Sequence, residues 1–269
     1  MFVVSTPIGN MGDFSFRAVE VLRQVAAVLA EDTRHSRHLL DRYAIVTPTL
    51  PYHEHNEATA TPRLIERLRA GEALALISDA GTPLLSDPGA RLVHAAIEAG
   101  IAVSPVPGAS ALLAALVVSG LEVDRFTFYG FLPRKGGGRR SALAEIVDLR
   151  HAAVVYESPA RVGDTLAELA AAGAGERAPV VARELTKHYA ERRRGTVAAL
   201  AASYVDAPPR GEVVIIIAGA SAPVGANEEE LRARASELRA EGRTPRDIAA
   251  ALTSEMGAAR NVAYRLAHE

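Results

Sequence analysis

The chain of 269 residues is long for a single core and, at 49% hydrophobic residues, carries ample material for two. Its 30 Lys and Arg nearly balance 32 Asp and Glu, so no global field points to nucleic acid, a membrane or an acidic ligand, and any such partner must be met by a local patch. Cysteine is absent, which excludes a disulfide framework, thiolate metal sites and a cysteine nucleophile.

Phe2-Val3-Val4 predicts a short buried strand running into the turn residues Ser5-Thr6-Pro7-Ile8-Gly9-Asn10. The N-terminus has no basic stretch and meets Pro7 and Gly9 too early for a signal peptide. Apolar spacing predicts a helix over 14–29, and a charged helical stretch follows over 32–40 with His35 and His38. A further helix is expected over 63–70, with Pro62 in its first turn, then a strand at 74–77. Ser78-Asp79-Ala80-Gly81-Thr82-Pro83 breaks that strand, and a helix over about 90–98 is closed by Gly100. Ile101-Ala102-Val103 predicts a strand stopped by Pro105 and Pro107, after which Gly108-Ala109-Ser110 opens a helix. Such alternation predicts parallel strands with crossover helices. The most apolar stretch, 109–118, is far short of the ~20 residues a membrane span requires, so a soluble cytoplasmic protein is expected.

A break near Gly120 leads into an alternating run at 125–130, and Arg134-Lys135-Gly136-Gly137-Gly138-Arg139-Arg140 reads as a flexible basic loop. Strands are expected at 152–156 and 179–182, ending in Glu157-Ser158-Pro159 and Arg183-Glu184, and at 211–218, opening with Gly211-Glu212. The expected organisation is an N-terminal α/β domain over 1–119, a second over 120–222 and a helical tail over 226–269. In the tail, Thr244-Pro245-Arg246-Asp247 is a helix-start signature, Ile248, Ala249, Leu252 and Met256 form an apolar face, and Gly257 ends the helix. A last helix over 259–267 makes the tail resemble a helix-turn-helix unit; a plain packing bundle fits the same pattern.

In open α/β sheets ligands bind outside the carboxyl ends of the strands, and here those ends are rich in Gly, Pro, Ser, Asp and Glu. Asp79, just past a strand with Gly81 and Thr82 behind it, suits a ribose hydroxyl or a cationic group, although Ser78 and Asp79 would equally make an Asx turn. No G-x-x-x-x-G-K-[ST] or G-x-G-x-x-G occurs, which argues against ATP and NAD, and no G-x-S-x-G elbow is present. His35 and His38 lie beside Arg34 and Arg37, whose charges oppose a metal reading.

S-T-P-I-G-N (5–10), E-D-T-R (31–34), S-D-A-G-T-P (78–83), P-G-A-S-A (107–111), F-L-P-R (131–134), Y-E-S-P-A-R (156–161), A-R-E-L-T-K (182–187) and G-E-V-V (211–214) follow one another in this order. The set resembles the tetrapyrrole methylase superfamily, and within it the branch that methylates cytidine 2′-hydroxyls in bacterial small-subunit ribosomal RNA. The resemblance covers about residues 2 to 219. It implies a two-domain α/β fold that binds S-adenosylmethionine in the cleft between domains, and a homodimer. It also implies that Pro7, Asp79 with Gly81 and Thr82, Ser110, Ala111, Tyr156, Ala182 and Gly211 hold the cofactor, while Ser86 and Asp87 serve as a turn and helix cap.

The partner implied is small-subunit ribosomal RNA or the assembled subunit, and two local clusters offer phosphate contacts: Arg134, Lys135, Arg139 and Arg140, and Lys187-His188 with Arg192-Arg193-Arg194. A ribose hydroxyl is a poor nucleophile and benefits from a base. Lys187 is expected in that role, its pKa lowered on RNA binding and its amine held by Glu184. An ordinary solvated lysine is the plain alternative, and Lys135, Glu31, Asp32 and Glu157 are rivals. Methylation of a tetrapyrrole precursor, and non-catalytic RNA binding by an assembly factor, are the competing functions.

Overall fold

The computed structural model describes residues 1–205, 207–220 and 227–269; the boundary expected between 222 and 226 lies outside them. The first sheet is built from β1 (Phe2–Val4), β2 (Ala27–Ala30), β3 (Thr49–Pro51), β4 (Leu74–Leu76) and β5 (Ser104–Val106), in the order β3-β2-β4-β1-β5. All its pairings are parallel. Between the strands run α1 (Phe16–Gln24), α2 (Thr33–Arg42), α3 (Glu57–Arg69) and α4 (Ala90–Glu98), and α5 (Ala111–Val117) follows β5. Every side chain of β2 and β4 is buried, as a sheet covered on both faces requires.

Three sequence expectations shift here. The helical spacing over 14–29 holds only to Gln24; Ala27-Val28-Leu29-Ala30 is apolar at every position and pairs as a strand between β3 and β4. The strand expected at 101–103 forms at 104–106 with Pro105 inside it, which is tolerated because β5 is the sheet edge and the missing N–H faces no partner. Helix α3 opens at Glu57, so Pro62 lies within it rather than in its first turn.

The second sheet contains β6 (Phe126–Phe131), β7 (Ala152–Glu157), β8 (Pro179–Arg183), β9 (Glu191–Arg194) and β10 (Val213–Ile217), ordered β6-β7-β10-β8-β9. Only β6 and β7 run parallel; β10 is antiparallel to both of its neighbours. The parallel alternation expected from the first half therefore gives way to a mixed sheet. Helices α6 (Gly137–Asp148), α7 (Val162–Leu169) and α8 (Val197–Ser203) connect it. Helix α5 packs against this second sheet: Leu112, Ala115 and Leu116 share a core with Ala152, Val154, Val180, Ala182, Val214 and Ile216. Both sheets thus belong to one compact unit, residues 1–147 with 151–218, and the loops at their strand ends face a common space.

The tail, grouped with 148–150 as a second unit, holds α9 (Glu228–Ala240), α10 (Pro245–Met256) and α11 (Arg260–His268) around their own buried cluster, including Leu231, Leu238, Ile248, Leu252 and Leu266. Asn227 and Glu230 form a reciprocal capping box for α9. Thr244 caps α10, with Pro245 at its first position, and Gly257 closes it in the left-handed conformation. No helix among the described residues is long and apolar enough to cross a membrane.

Candidate functional site

The loop after β1 and the loop after β4 are stitched together by paired backbone hydrogen bonds, Thr6 N–H to Gly81 O at 2.8 Å and Gly81 N–H to Thr6 O at 3.1 Å. Thr82 is shared between them: its hydroxyl lies 3.0 Å from that of Ser5 and donates to the Ala109 carbonyl at 3.1 Å. Asp79 Oδ1 accepts from the Asp32 backbone N–H at 3.1 Å, so the E-D-T-R segment ahead of α2 is tied to the same loop. Asp32 in turn caps α2 by accepting from the N–H groups of Arg34 and His35.

A cavity of about 430 Å³ opens over these loops, and the second sheet supplies its other wall. Of the residues expected to hold the cofactor, Asp79, Gly81, Thr82, Ser110, Ala111, Tyr156 and Gly211 line it. Ser110 caps α5, and the Tyr156 hydroxyl accepts from the Leu112 N–H in the first turn of that helix, which joins β7 to the first half. Two expected residues fall elsewhere. Pro7 lines an adjoining cavity, and Ala182 lies fully buried in β8 among the apolar core, with no surface facing either space.

The cavity is acidic. Glu31, Asp79, Asp87, Glu157 and Glu212 line it, and among the described residues no lysine, arginine or histidine does. Glu157 is committed: its carboxylate pairs with Arg161 and accepts from the Thr165 hydroxyl and the Ser158 N–H. Asp87 is pushed up to about 6, by burial first and then by the nearby charge of Glu31 and Asp79, against a hydrogen bond from Ser78. Glu31 is raised as well, by burial and then by Asp79. The expectation that Ser86 and Asp87 form a helix cap is corrected: the N-cap of α4 is Gly89, without a side-chain bond, and Ser86 and Asp87 face the cavity. The recurrence of Ser-Asp eight residues after the first is the sequence signal for a second carboxylate at this cavity. Phe131, Leu85 and Val213 supply the apolar part of the lining.

Lys187 lines the adjoining cavity and pairs with Glu212, which lines both. Its Nζ lies 2.9 Å from Glu184 Oε1 and 3.1 Å from Glu212 Oε2. Burial alone would lower the Lys187 ammonium, but the hydrogen bonds and charges of these two glutamates together outweigh it and hold the group above the usual lysine range. The lowering expected of a base belongs to the RNA-bound state; without RNA the two glutamates hold the group charged. Burial would raise the Glu184 carboxyl, but Lys187 and the Glu212 N–H bring it below the usual carboxylate range. The pair fits because two glycines leave room. A Cβ on Gly9 would stand 2.3 Å from Lys187 Cγ, and one on Gly211 would stand 2.2 Å from Glu184 Oε1; both glycines have positive φ. The turn carrying the pair is itself strained, with Glu184 at φ +50° and Thr186 at +67°.

The basic loop is shorter than expected. Helix α6 starts at Gly137 and includes Arg139 and Arg140. Arg139 is 6% exposed and bonds Glu168, the Thr165 hydroxyl and the Pro133 carbonyl, so it ties α6 to α7 and is corrected from an RNA contact to a structural one. Arg134, Lys135 and Arg140 are exposed. In the other basic cluster Arg193 stacks on Tyr204 and Arg194 bonds the carbonyls of Val118 and Ser119.

The family model of tetrapyrrole (corrin/porphyrin) methylases matches residues 1–201. A protein of Pseudomonas aeruginosa named ribosomal RNA small subunit methyltransferase I is 48% identical, covering 99% of this chain and 96% of its own length. The protein of the same name from Synechocystis is 43% identical over 100% of this chain and 97% of its own. Among solved structures, diphthine synthase aligns with a TM-score of 0.60 at 16% identity, over 81% of this chain and 88% of its own. The Thermus thermophilus uroporphyrin-III C-methyltransferase in complex with S-adenosylhomocysteine aligns with a TM-score of 0.57 at 19% identity, over 81% and 96%. These two share the fold.

Proposed function

The chain belongs to the tetrapyrrole methylase family, and on that premise we propose that it transfers a methyl group from S-adenosylmethionine to small-subunit ribosomal RNA, at the 2′-hydroxyl of a cytidine. The observation that carries the reading is the charge of the first cavity. S-adenosylmethionine bears a sulfonium and an ammonium against one carboxylate, and a space lined by Glu31, Asp79 and Asp87, none of them in a salt bridge among the described residues, beside the paired Glu157 and Glu212, favours such a cation while opposing nucleotide phosphates. Its volume lies within the range of small-molecule sites, and Phe131, Leu85 and Val213 offer apolar surface for an adenine ring.

When bound, the cofactor supplies a methyl group already activated on sulfur. The chain then has to hold the acceptor oxygen in line, so that an O–C bond forms as the C–S bond breaks with its electron pair going to sulfur. The hydroxyl proton has to leave. The carboxylates of this wall are the groups available to take it: Asp87, with a pKa of about 6, lines this cavity, and Asp79 lines both this cavity and the adjoining one. Lys187, kept charged by Glu184 and Glu212, donates hydrogen bonds and orients the acceptor instead of removing its proton. The working form belonging to this reading is a homodimer, which sedimentation tests.

Labelled-methyl transfer should be run with assembled small subunits, free small-subunit ribosomal RNA and a porphyrinoid precursor, with mass mapping of the RNA. Label in a ribose-methylated cytidine is the expected result. Label in the porphyrinoid alone, or in none of the three, overturns the reading.

A further inference from the structure

The wall formed by Ile8, Asp79, Ala80 and Glu212 lines two cavities, the acidic one described above and a second of about 390 Å³. We infer that this second chamber receives the acceptor nucleotide, so that methyl donor and RNA occupy adjoining spaces, with Lys187 in the wall of the second. The inference rests on the reading of the chain as an RNA methyltransferase.

The two chambers differ in their charged groups. Apart from the shared Asp79 and Glu212, the second has no carboxylate among the described residues, and Glu212 is paired with Lys187. What it adds is Lys187, paired with Glu184 and Glu212, and the imidazoles of His35 and His38 on α2. An anionic strand therefore meets fewer carboxylates and more hydrogen-bond donors here than at the first chamber. The buried part of the lining includes the apolar Pro7 and Leu39, with Met11 at the rim, which suits the faces of a base turned out of its stack.

Within that lining stands an unspent polar group. Ser36 is 3% exposed, and its hydroxyl has no hydrogen-bond partner among the described residues. A buried hydroxyl without a partner costs stability, so its presence in the chamber wall marks a place where a ligand atom completes the bond. The same hydroxyl in a purely structural position would find the carbonyl one turn back, as Thr61 does with Glu57 in α3.

Two variants test the assignment in the full-length protein, with assembled small subunits and their RNA as substrates. Met11→Trp adds bulk at a 42% exposed rim position, where folding does not depend on the side chain. It is expected to lower methyl transfer at subsaturating RNA by about tenfold or more, while S-adenosylmethionine affinity by calorimetry stays within about twofold. Ser36→Ala is expected to leave thermal stability equal or higher, because an unpaired hydroxyl is removed, yet to raise KM for RNA by about tenfold. Wild-type transfer rates with Met11→Trp, or a parallel fall in cofactor affinity, overturn the chamber assignment. An unchanged KM in Ser36→Ala overturns the hydroxyl as the group that meets the ligand. If the wild-type protein methylates neither RNA nor subunits, the underlying functional reading fails first, and that outcome is distinct because it needs no variant.

Discussion

The two chambers are close in size, about 430 and 390 Å³, and share four wall residues, Asp79 and Glu212 among them, yet their remaining charged and polar groups differ. The first is walled by Glu31, Asp79, Asp87, Glu157 and Glu212 without a cation among the described residues; the second contains Lys187, His35 and His38. A chain with a net charge of −2 can present both, because the sorting is done by which strand-end loops meet, not by composition. The contrast teaches that a near-neutral protein can wall two adjoining spaces with different charged groups, because loop geometry decides which side chains meet.

The sharpest break of this contrast is at Lys187. Replacing it with Met removes the ammonium from the second chamber and takes from Glu184 and Glu212 the cation they share, and methyl transfer is expected to fall by about 10²–10³ in single-turnover assays. Lys187→Arg, which keeps the charge but cannot serve as a base, should retain measurable transfer; complete loss in the arginine variant would return the lysine to the role of base.

Asp79 stands in both walls, and Asp79→Ala should weaken S-adenosylmethionine by ~1.5–3 kcal/mol in calorimetry, since one charge-assisted hydrogen bond to the ligand is removed. Unchanged affinity would take the carboxylate out of the cofactor site and leave it as the tether of the Asp32 N–H.

Asp87 gives a smaller effect of opposite sign in two measurements. Its folded pKa of about 6 lies above the ordinary 3.8, so the folded protein holds this proton more tightly than the unfolded chain does. The stabilisation from the bound proton is fully present below about 3.8 and is lost as pH rises through about 6. Asp87→Asn should therefore raise stability at pH 7 by about 1 kcal/mol, a value discounted for partial solvent screening, while lowering affinity for the cationic cofactor. In the wild type, cofactor affinity should decline as pH falls through about 6. A variant that gains no stability and loses no affinity would show that the carboxylate is solvated.

The mildest effect belongs to the exposed cations outside both chambers. Arg134, Lys135 and Arg140 changed together to Ala should flatten the dependence of log RNA affinity on log salt by about 0.7–0.9 for each phosphate that is no longer neutralised, with cofactor binding untouched. Arg139→Ala makes the contrast: it should lower thermal stability, because Glu168 and Thr165 lose a buried partner, and leave the salt slope alone.

What was readable without coordinates is what depends on neighbours in the chain. Ser-Asp-Ala-Gly-Thr-Pro after an apolar run announces a strand end with turn chemistry, and Asp79, Gly81 and Thr82 indeed line the first cavity. Thr244-Pro245 and Gly257 mark the ends of α10 because caps are satisfied within a few residues. What only the tertiary structure decided is what depends on distant partners. Val28 reads as helical by spacing, and becomes a strand because β3 and β4 flank it. Arg139 reads as a loop cation, and is buried because Glu168 and Thr165 arrive from α7. Lys187 reads as a candidate base, and is held charged because Glu212, 25 residues on, reaches its amine. Asp87 reads as a cap, and carries a raised pKa because the fold buries it and brings Glu31 and Asp79 against it. Local sequence sets backbone geometry through sterics and short-range hydrogen bonds, whereas burial and pKa are sums over groups brought near by the fold, and no window along the chain contains those groups.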